Sequence, residues 1–355
     1  MAKDMHQEEW DSATLTKLDI FEQYVHKWLD VVINDKKFLC DTVEIYDLFC
    51  GSGFDGTKTH KGSPLRILDA VIKRNKKDKK VKLYFNDIQD YKIQELRKNI
   101  NDHYPCLKND KNIEIKYTAY DVSDYKILSK KYYKLILLDQ YGIKHLERIR
   151  NFLYKGTDIL IFVSSGHIRR FCEDKNFQKY IDIPKETFEK KTFYETHKTI
   201  TEYLRKLFPK ACISPFTLIK DNDNINGLVF FSNHIKGQEQ FLKTTWKIDK
   251  DFGEGNCNIE GDYEKDKNSL FYNPDTPSLK IQRFKEELKN YLKETRSNSE
   301  IRQFSYNCGF LTNHTQEILK EIKNDLDISY HNGSVRGFHL IDEDKKVTIK
   351  IKDKK

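Results

Sequence analysis

No apolar run in this sequence approaches the roughly 18 residues that a membrane-spanning helix requires, and the start, Met1 to Trp10, is polar and acidic. A membrane protein and a secreted one are both disfavoured, and a cytoplasmic location is expected. Metal chemistry lacks its pattern too. The seven cysteines, at positions 40, 50, 106, 172, 212, 257 and 308, form no C-x-x-C, and no His pair stands at ligand spacing. Neither a zinc site nor a disulfide framework is indicated. No internal repeat is evident. What remains is 355 residues, 38% hydrophobic and 13% aromatic, enough for one large domain and a small one. The 33% charged fraction and net charge of +8 permit a polyanionic partner without requiring one.

The informative stretch is Glu44-Ile45-Tyr46-Asp47-Leu48-Phe49-Cys50-Gly51-Ser52-Gly53. An apolar β-type run carries an acid and breaks into Gly-x-Gly, a turn whose backbone can press against a small molecule. Gly51, Gly53 and Gly56 also satisfy the dinucleotide pattern, which alone is weak. Two details favour S-adenosylmethionine (SAM). Asp47, just before the turn, can hold an ammonium group by a charge-assisted hydrogen bond, where a pyrophosphate would be repelled. The run Val81 to Asp87 ends on an acid able to accept from both ribose hydroxyls, later than the dinucleotide spacing of about 20 residues. Asp47, Phe49, Gly51, Gly53 and Asp87 are the expected cofactor residues, with Asp121 as acceptor for an adenine amine or as an ordinary helix cap.

Leu15, Leu18, Phe21, Tyr24, Val25, Trp28, Leu29 and Val32 recur at helical steps. After this helix, apolar runs at Val43 to Phe49, Val81 to Phe85, Ile113 to Thr118, Lys134 to Leu138 and Asp158 to Val163 alternate with helical patterns at Pro64 to Arg74, Tyr91 to Asn101 and Lys144 to Leu153. That alternation predicts an α/β, Rossmann-like, mainly parallel sheet. A further helical region runs from Thr187 to Phe208. Strands at Cys212 to Ile219 and Leu228 to Ser232 then suit a closing antiparallel hairpin, as in class I methyltransferase sheets. The expected division is 1–246 for this domain, 247–280 for an irregular connection, and 281–355 for a winged helix. The last rests on helices at Ile281 to Thr295, Ser299 to Tyr306 and Asn313 to Lys323. Strands at Leu326 to His331, Gly337 to Ile341 and Lys346 to Ile351 follow, with a turn at Asn332-Gly333.

The fourth strand runs into Leu138-Asp139-Gln140-Tyr141-Gly142, at the carboxyl edge where open α/β sheets bind ligands. Methyl transfer from a sulfonium needs alignment and management of the nucleophile's proton. Asp139 can accept from an exocyclic amine and Tyr141 can stack on an extruded base. An Asp capping the next helix beside a half-buried Tyr is the other reading. Lys58, His60 and Lys61 stand in an insertion after the turn, read as a phosphate contact or a solvated loop. Arg169 and Arg170 follow the fifth strand and can meet nucleic-acid backbone, or line a solvated face. In the tail, Asn313, His314, Thr315 and Gln316 are of the types that reach base edges, and Arg336 can enter a minor groove. The tail is only mildly basic, with 16 Lys and Arg against 12 Asp and Glu from Lys280 onward, so protein docking is an equal use for it.

In these pieces the chain resembles the bacterial three-Cys-motif partner (TcmP) family, whose members are similar to class I SAM-dependent methyltransferases. The resemblance rests on Thr16-Lys17-Leu18-Asp19-Ile20-Phe21, Asp47 to Gly53, Gly62-Ser63-Pro64-Leu65-Arg66, Leu138 to Gly142, and Trp246-Lys247-Ile248-Asp249 with Gly253-Glu254-Gly255-Asn256. It implies SAM as cofactor, a winged-helix extension, and a protein partner bearing a three-cysteine motif, similar to radical-SAM enzymes, in a mobile or phage-related gene set. Gln140 departs from the Asp-Pro-Tyr-Gly of the family, and the missing proline would have stiffened that loop. The expected function is a SAM-dependent methyltransferase acting on DNA or RNA. The alternatives are a non-catalytic SAM-binding subunit docked on the three-cysteine partner, or a DNA-binding regulator.

Overall fold

Strands buried on both faces produce near-continuous apolar runs, and the runs from Val43, Lys134 and Asp158 form the middle of the sheet. In the computed structural model, which describes residues 9–34, 40–74, 79–127, 131–140, 143–193, 195–220, 224–255, 270–273, 275–331 and 336–352, β1 (Thr42–Asp47), β2 (Lys80–Asn86), β3 (Ile113–Thr118), β4 (Tyr133–Leu138) and β5 (Thr157–Val163) pair in parallel. The hairpin β6 (Cys212–Lys220) and β7 (Asn224–Ser232) closes the sheet, with β7 antiparallel to both β5 and β6. The spatial order is β3-β2-β1-β4-β5-β7-β6. This is the mostly parallel α/β sheet and closing hairpin that the sequence predicts. Tyr141, Gly142, Cys257 and the turn Asn332-Gly333 lie outside the described residues.

Helices α1 (Ser12–Asn34), α2 (Ser63–Ile72) and α3 (Asp90–His103) fall where the periodicity places them. Lys144 to Leu153 does not form one helix. A 3₁₀ turn at Leu146–Arg148 precedes the short α4 (Ile149–Phe152). Beyond β5 come α5 (Ser165–Phe171) and the single turns α6 (Lys175–Gln178) and α7 (Glu186–Glu189), then α8 (Thr196–Leu207), so the predicted Thr187 to Phe208 helix is broken in two. α9 (Ile235–Ile248) follows the hairpin.

α1 packs by its apolar face. Phe21, Tyr24, Val25, Trp28 and Leu29 are buried, and Tyr24 meets the Phe230 ring edge-on at 5.1 Å while its hydroxyl donates to Asp158 Oδ2 at 2.7 Å. Burial pushes the Asp158 carboxyl up to about 6.

The chain divides into two compact units, Met1–Thr244 and Thr245–Lys355. The second contains α10 (Leu279–Tyr291), β8 (Arg296–Ser297), α11 (Asn298–Asn307), α12 (Thr312–Glu321), β9 (Leu326–Tyr330) and β10 (Val347–Ile351). Its three-stranded sheet has the order β8-β10-β9 and is antiparallel. Ser297 and Glu300 form a capping box on α11. The predicted strand Gly337 to Ile341 is absent. Phe338 and Leu340 are buried as its alternation implies, but His339 sits at φ +46° and breaks the extended path. In the same unit the Asp249 carboxylate accepts from the N–H groups of Asp251, Phe252, Glu254 and Gly255. Gly253 has φ +64°, and a Cβ there would lie 2.5 Å from the Trp246 indole.

Candidate functional site

The parallel register brings the carboxyl ends of β1, β2 and β4 side by side: Asp47 pairs with Phe85 and with Leu137. The chain past β1 is then held at both sides, Leu48 N–H donating to Leu137 O at 3.1 Å and Cys50 N–H to Asn86 O at 3.0 Å. Gly51 and Gly53 adopt φ of +61° and +97°, which other residues rarely do. At Gly53 a Cβ would fall 2.9 Å from Leu96 Cδ1 and 3.3 Å from Leu65 Cγ. The bare backbone there serves the packing of α2 and α3 beneath the turn.

Asp47 is fully buried. Its Oδ1 accepts only a long 3.4 Å bond from Phe49 N–H, and its Oδ2 has no hydrogen-bond partner. Burial pushes its carboxyl up to about 7, with Asp139 and Asp87 adding repulsion; the Ser63 hydroxyl tempers the rise without reaching Oδ2 in hydrogen-bond geometry. A buried carboxylate oxygen left without a partner is costly. It fits a ligand that brings an ammonium group.

Asp87, also buried, accepts from Gly51 N–H at 3.2 Å and Gln89 N–H at 2.9 Å. Its remaining lone pairs suit hydroxyl donors. Asn86, the residue before it, is the brace of the site. Its Nδ2 donates to Leu48 O and Tyr120 O, and its Oδ1 accepts from Tyr120 N–H and the Thr118 hydroxyl. One side chain thus ties the ends of three strands. Ile88 and Tyr120, flanking Asp87 and Asp121 in sequence, are large side chains left 63% and 59% exposed.

Asp139 is ion-paired. Lys17 of α1 places its Nζ 2.5 Å from Asp139 Oδ2 and 4.9 Å from the centre of the Phe162 ring. Gln140 is buried and ties β4 to its surroundings, its amide donating to Phe162 O at 3.2 Å and its carbonyl accepting from His145 N–H at 2.8 Å. Its hydrogen bonds fix the end of β4 where a proline would act by its ring. The Phe49 ring faces that of His145 at 5.4 Å.

The other predicted residues are placed as follows. Asp121 accepts from Ser123 N–H at 2.7 Å and pairs with Lys144 at 3.2 Å, and these bonds hold its carboxyl down at about 2. Lys61 is engaged by Asp69 and Tyr104, and His60 stands 3.6 Å from Glu9. Arg169 spends its guanidinium on Lys191 O, Thr192 O and the Thr196 hydroxyl, bracing the segment before α8, while Arg170 is exposed. On α12, Asn313 is exposed and Gln316 lines a cavity of about 430 Å³ with Lys320, Lys323, Tyr330 and His339; Arg336 is exposed nearby in sequence. His314 and Thr315 face inward: the His314 ring lies 4.3 Å from that of Trp246, burial lowers its pKa to about 4, and Thr315 bonds Ser305.

Sequence reasoning missed Lys17 as a site residue, although it stands in the Thr16 to Phe21 piece, and it missed Asn86, whose signal is adjacency to Asp87. It also missed Ser165, whose hydroxyl sits 2.7 Å from His197 Nδ1 while Nε2 meets Leu228 O at 3.0 Å. Both residues are fully buried and the His197 pKa is lowered to about 4, so the pair is a neutral brace.

No family model and no curated protein matches the chain. Among solved structures it is similar to human methyltransferase 10 domain containing protein, with TM-score 0.35 and 9% identity over 61% of this chain and 83% of that one. It is also similar to the N-terminal domain of human METTL16 in complex with SAH, with TM-score 0.34, 9% identity, and 61% and 70% of the two chains covered. A third is M. capricolum TrmK with S-adenosylhomocysteine, with TM-score 0.32, 11% identity, and 85% and 96% covered.

Proposed function

We propose that the first unit binds SAM and transfers its methyl group to an amine of nucleic acid. The observation that carries the cofactor is Asp47 Oδ2, buried and without a partner beside the Gly51 to Gly53 turn. In this reading Asp47 holds the methionine ammonium, Asp87 the ribose hydroxyls, and Ile88 and Tyr120 the faces of the base. Bound SAM supplies an electrophilic methyl on a sulfonium whose departure needs no proton. The protein's work is alignment and the acceptor's proton. Asp139, paired with Lys17, orients an N–H and takes the proton released as the N–C bond forms and the methyl's C–S bond breaks. Calorimetry with S-adenosylhomocysteine and with NAD tests the cofactor: heat with NAD alone overturns it. Tritium from labelled SAM, followed into DNA, tRNA and total RNA, tests the reaction, and Asp139→Ala must remove transfer while leaving affinity for S-adenosylhomocysteine nearly intact.

The second unit is read as a winged helix, because a helix, a short strand, two helices and two strands follow in that order with the last strand central. Asn313, Gln316 and Arg336 are its nucleic-acid contacts. Membership of the three-Cys-motif partner family belongs to the same reading, and a three-cysteine protein is its expected partner. One observation favours a non-catalytic SAM-binding subunit instead: Asp139 already has a cation. Tight cofactor binding with no transfer to any nucleic acid, with or without the partner, selects that subunit.

A further inference from the structure

Three carboxylates meet at the strand ends and are compensated unequally. Asp87 receives two backbone N–H groups, Asp139 receives the Lys17 ammonium, and Asp47 keeps one oxygen without a partner. Lys17 comes from α1, outside the sheet, and its side chain is only 12% exposed. Its pairing is shielded from solvent and so strong for its distance. The groups that act on Asp47 are Asp139 at the end of β4, Asp87 at the end of β2, the Ser63 hydroxyl at the start of α2 and the Phe49 N–H. The Cys50 thiol lies in the same field, facing Asp47, Asp87 and Lys92 of α3. Lys17 reaches Asp47 through Asp139.

We propose that Lys17 is a positioning residue of the crevice: by neutralising Asp139 it leaves Asp47 as the uncompensated carboxylate, and so directs the ammonium of a ligand's amino-acid moiety to Asp47. This rests on the SAM reading above. Without Lys17, two anions compete for one cation, and repulsion from Asp139 makes Asp47 hold its proton to higher pH. The burial of Asp47 amplifies that repulsion.

The test compares two probes, S-adenosylhomocysteine, which carries the amino-acid moiety, and 5′-methylthioadenosine, which lacks it. In Lys17→Met, affinity for the first falls about fivefold at pH 7 and about tenfold at pH 5.5, as a one-unit displacement of Asp47 from about 7 requires, and the pH midpoint of binding rises. Affinity for the second is unchanged. Lys17→Arg keeps wild-type behaviour, and Lys17→Met/Asp139→Asn restores the midpoint. An unmoved midpoint in Lys17→Met, or parallel loss of both probes, overturns the proposal and reduces Lys17 to packing. If the wild type binds neither probe, the SAM reading fails, and Lys17 is judged on the free protein. The pH at which each chain parts in stability from its own Asp47→Asn variant must then rise with Lys17→Met, and constancy overturns the proposal.

Discussion

Asp47→Asn should stabilise the free protein while destroying its use. The carboxyl moves from an ordinary value of 3.8 to about 7 on folding, roughly three units, and one unit is about 1.4 kcal/mol, so ionised Asp47 destabilises the folded state by about 4 kcal/mol. The sign follows from proton counting. Between pH 4 and 7 the folded chain holds the proton and the unfolded chain does not, so stability falls as pH rises through that window. Asparagine keeps the shape without the charge. Its advantage over the wild type is absent near pH 4, grows through the window and levels off above about pH 7.5. Asp158, displaced to about 6, adds a slope of the same sign to both chains and drops out of the comparison. Urea denaturation from pH 4 to 8.5, read by hydrogen exchange in β1 and β4, measures it. The variant should also lose S-adenosylhomocysteine binding, whereas the wild type releases a proton on binding below pH 7. Equal stability at pH 8, or a difference independent of pH, refutes the reasoning.

Gly227→Ala would place a Cβ 2.3 Å from His197 Nε2; it should destabilise by at least the 1–3 kcal/mol or so of an overpacked core, and His197→Ala in the same chain should return part of that in a double-mutant cycle. Asn86→Asp turns the amide that donates to Leu48 O and Tyr120 O into a carboxylate facing two carbonyls, so affinity for S-adenosylhomocysteine should drop at least tenfold while the chain stays folded by circular dichroism. In the full chain, Arg336→Ala should weaken nucleic-acid binding evenly across sequences and lower the salt slope by about one, whereas Asn313→Ala should alter sequence preference. His197, lowered to about 4, contributes stability that is full above about pH 6.5 and lost as pH falls toward 4, a slope opposite to that of Asp47.

The sheet was legible because β1, β4 and β5 are buried on both faces and read as near-continuous apolar runs, while the half-exposed edge strand β3 reads by alternation. What periodicity missed was local geometry. Ile149, Phe152 and Leu153 pack inward as a helix face would, yet the chain reaches them through a 3₁₀ turn. Phe338 and Leu340 alternate like a strand without a ladder partner, because His339 turns the backbone. β8 has only two residues, too few for any pattern. At the site, Asp47, Asp87 and the glycine turn stand out locally as acids and glycines at strand ends. Lys17 and Asp139 are separated by 122 residues, and no spacing rule connects them. Gln140 read as a missing proline, since a side chain that ties a strand end to Phe162 and His145 by hydrogen bonds has no signature of its own.

Part of α1 is buried long after it is made. α1 meets β7 and α9 through Tyr24 against Phe230 and Phe241, and its hydroxyl meets Asp158, 134 residues away. During synthesis at about 5–20 residues per second, the part of the α1 face around Tyr24 therefore waits roughly 10–40 s after emergence for Phe230 and Phe241, although α2 can cover another part sooner. Loop closure over such separations is slow. Until then a nascent chain of this protein carries an amphipathic helix with an uncovered aromatic stripe, and that helix should be where a ribosome-bound chaperone engages it.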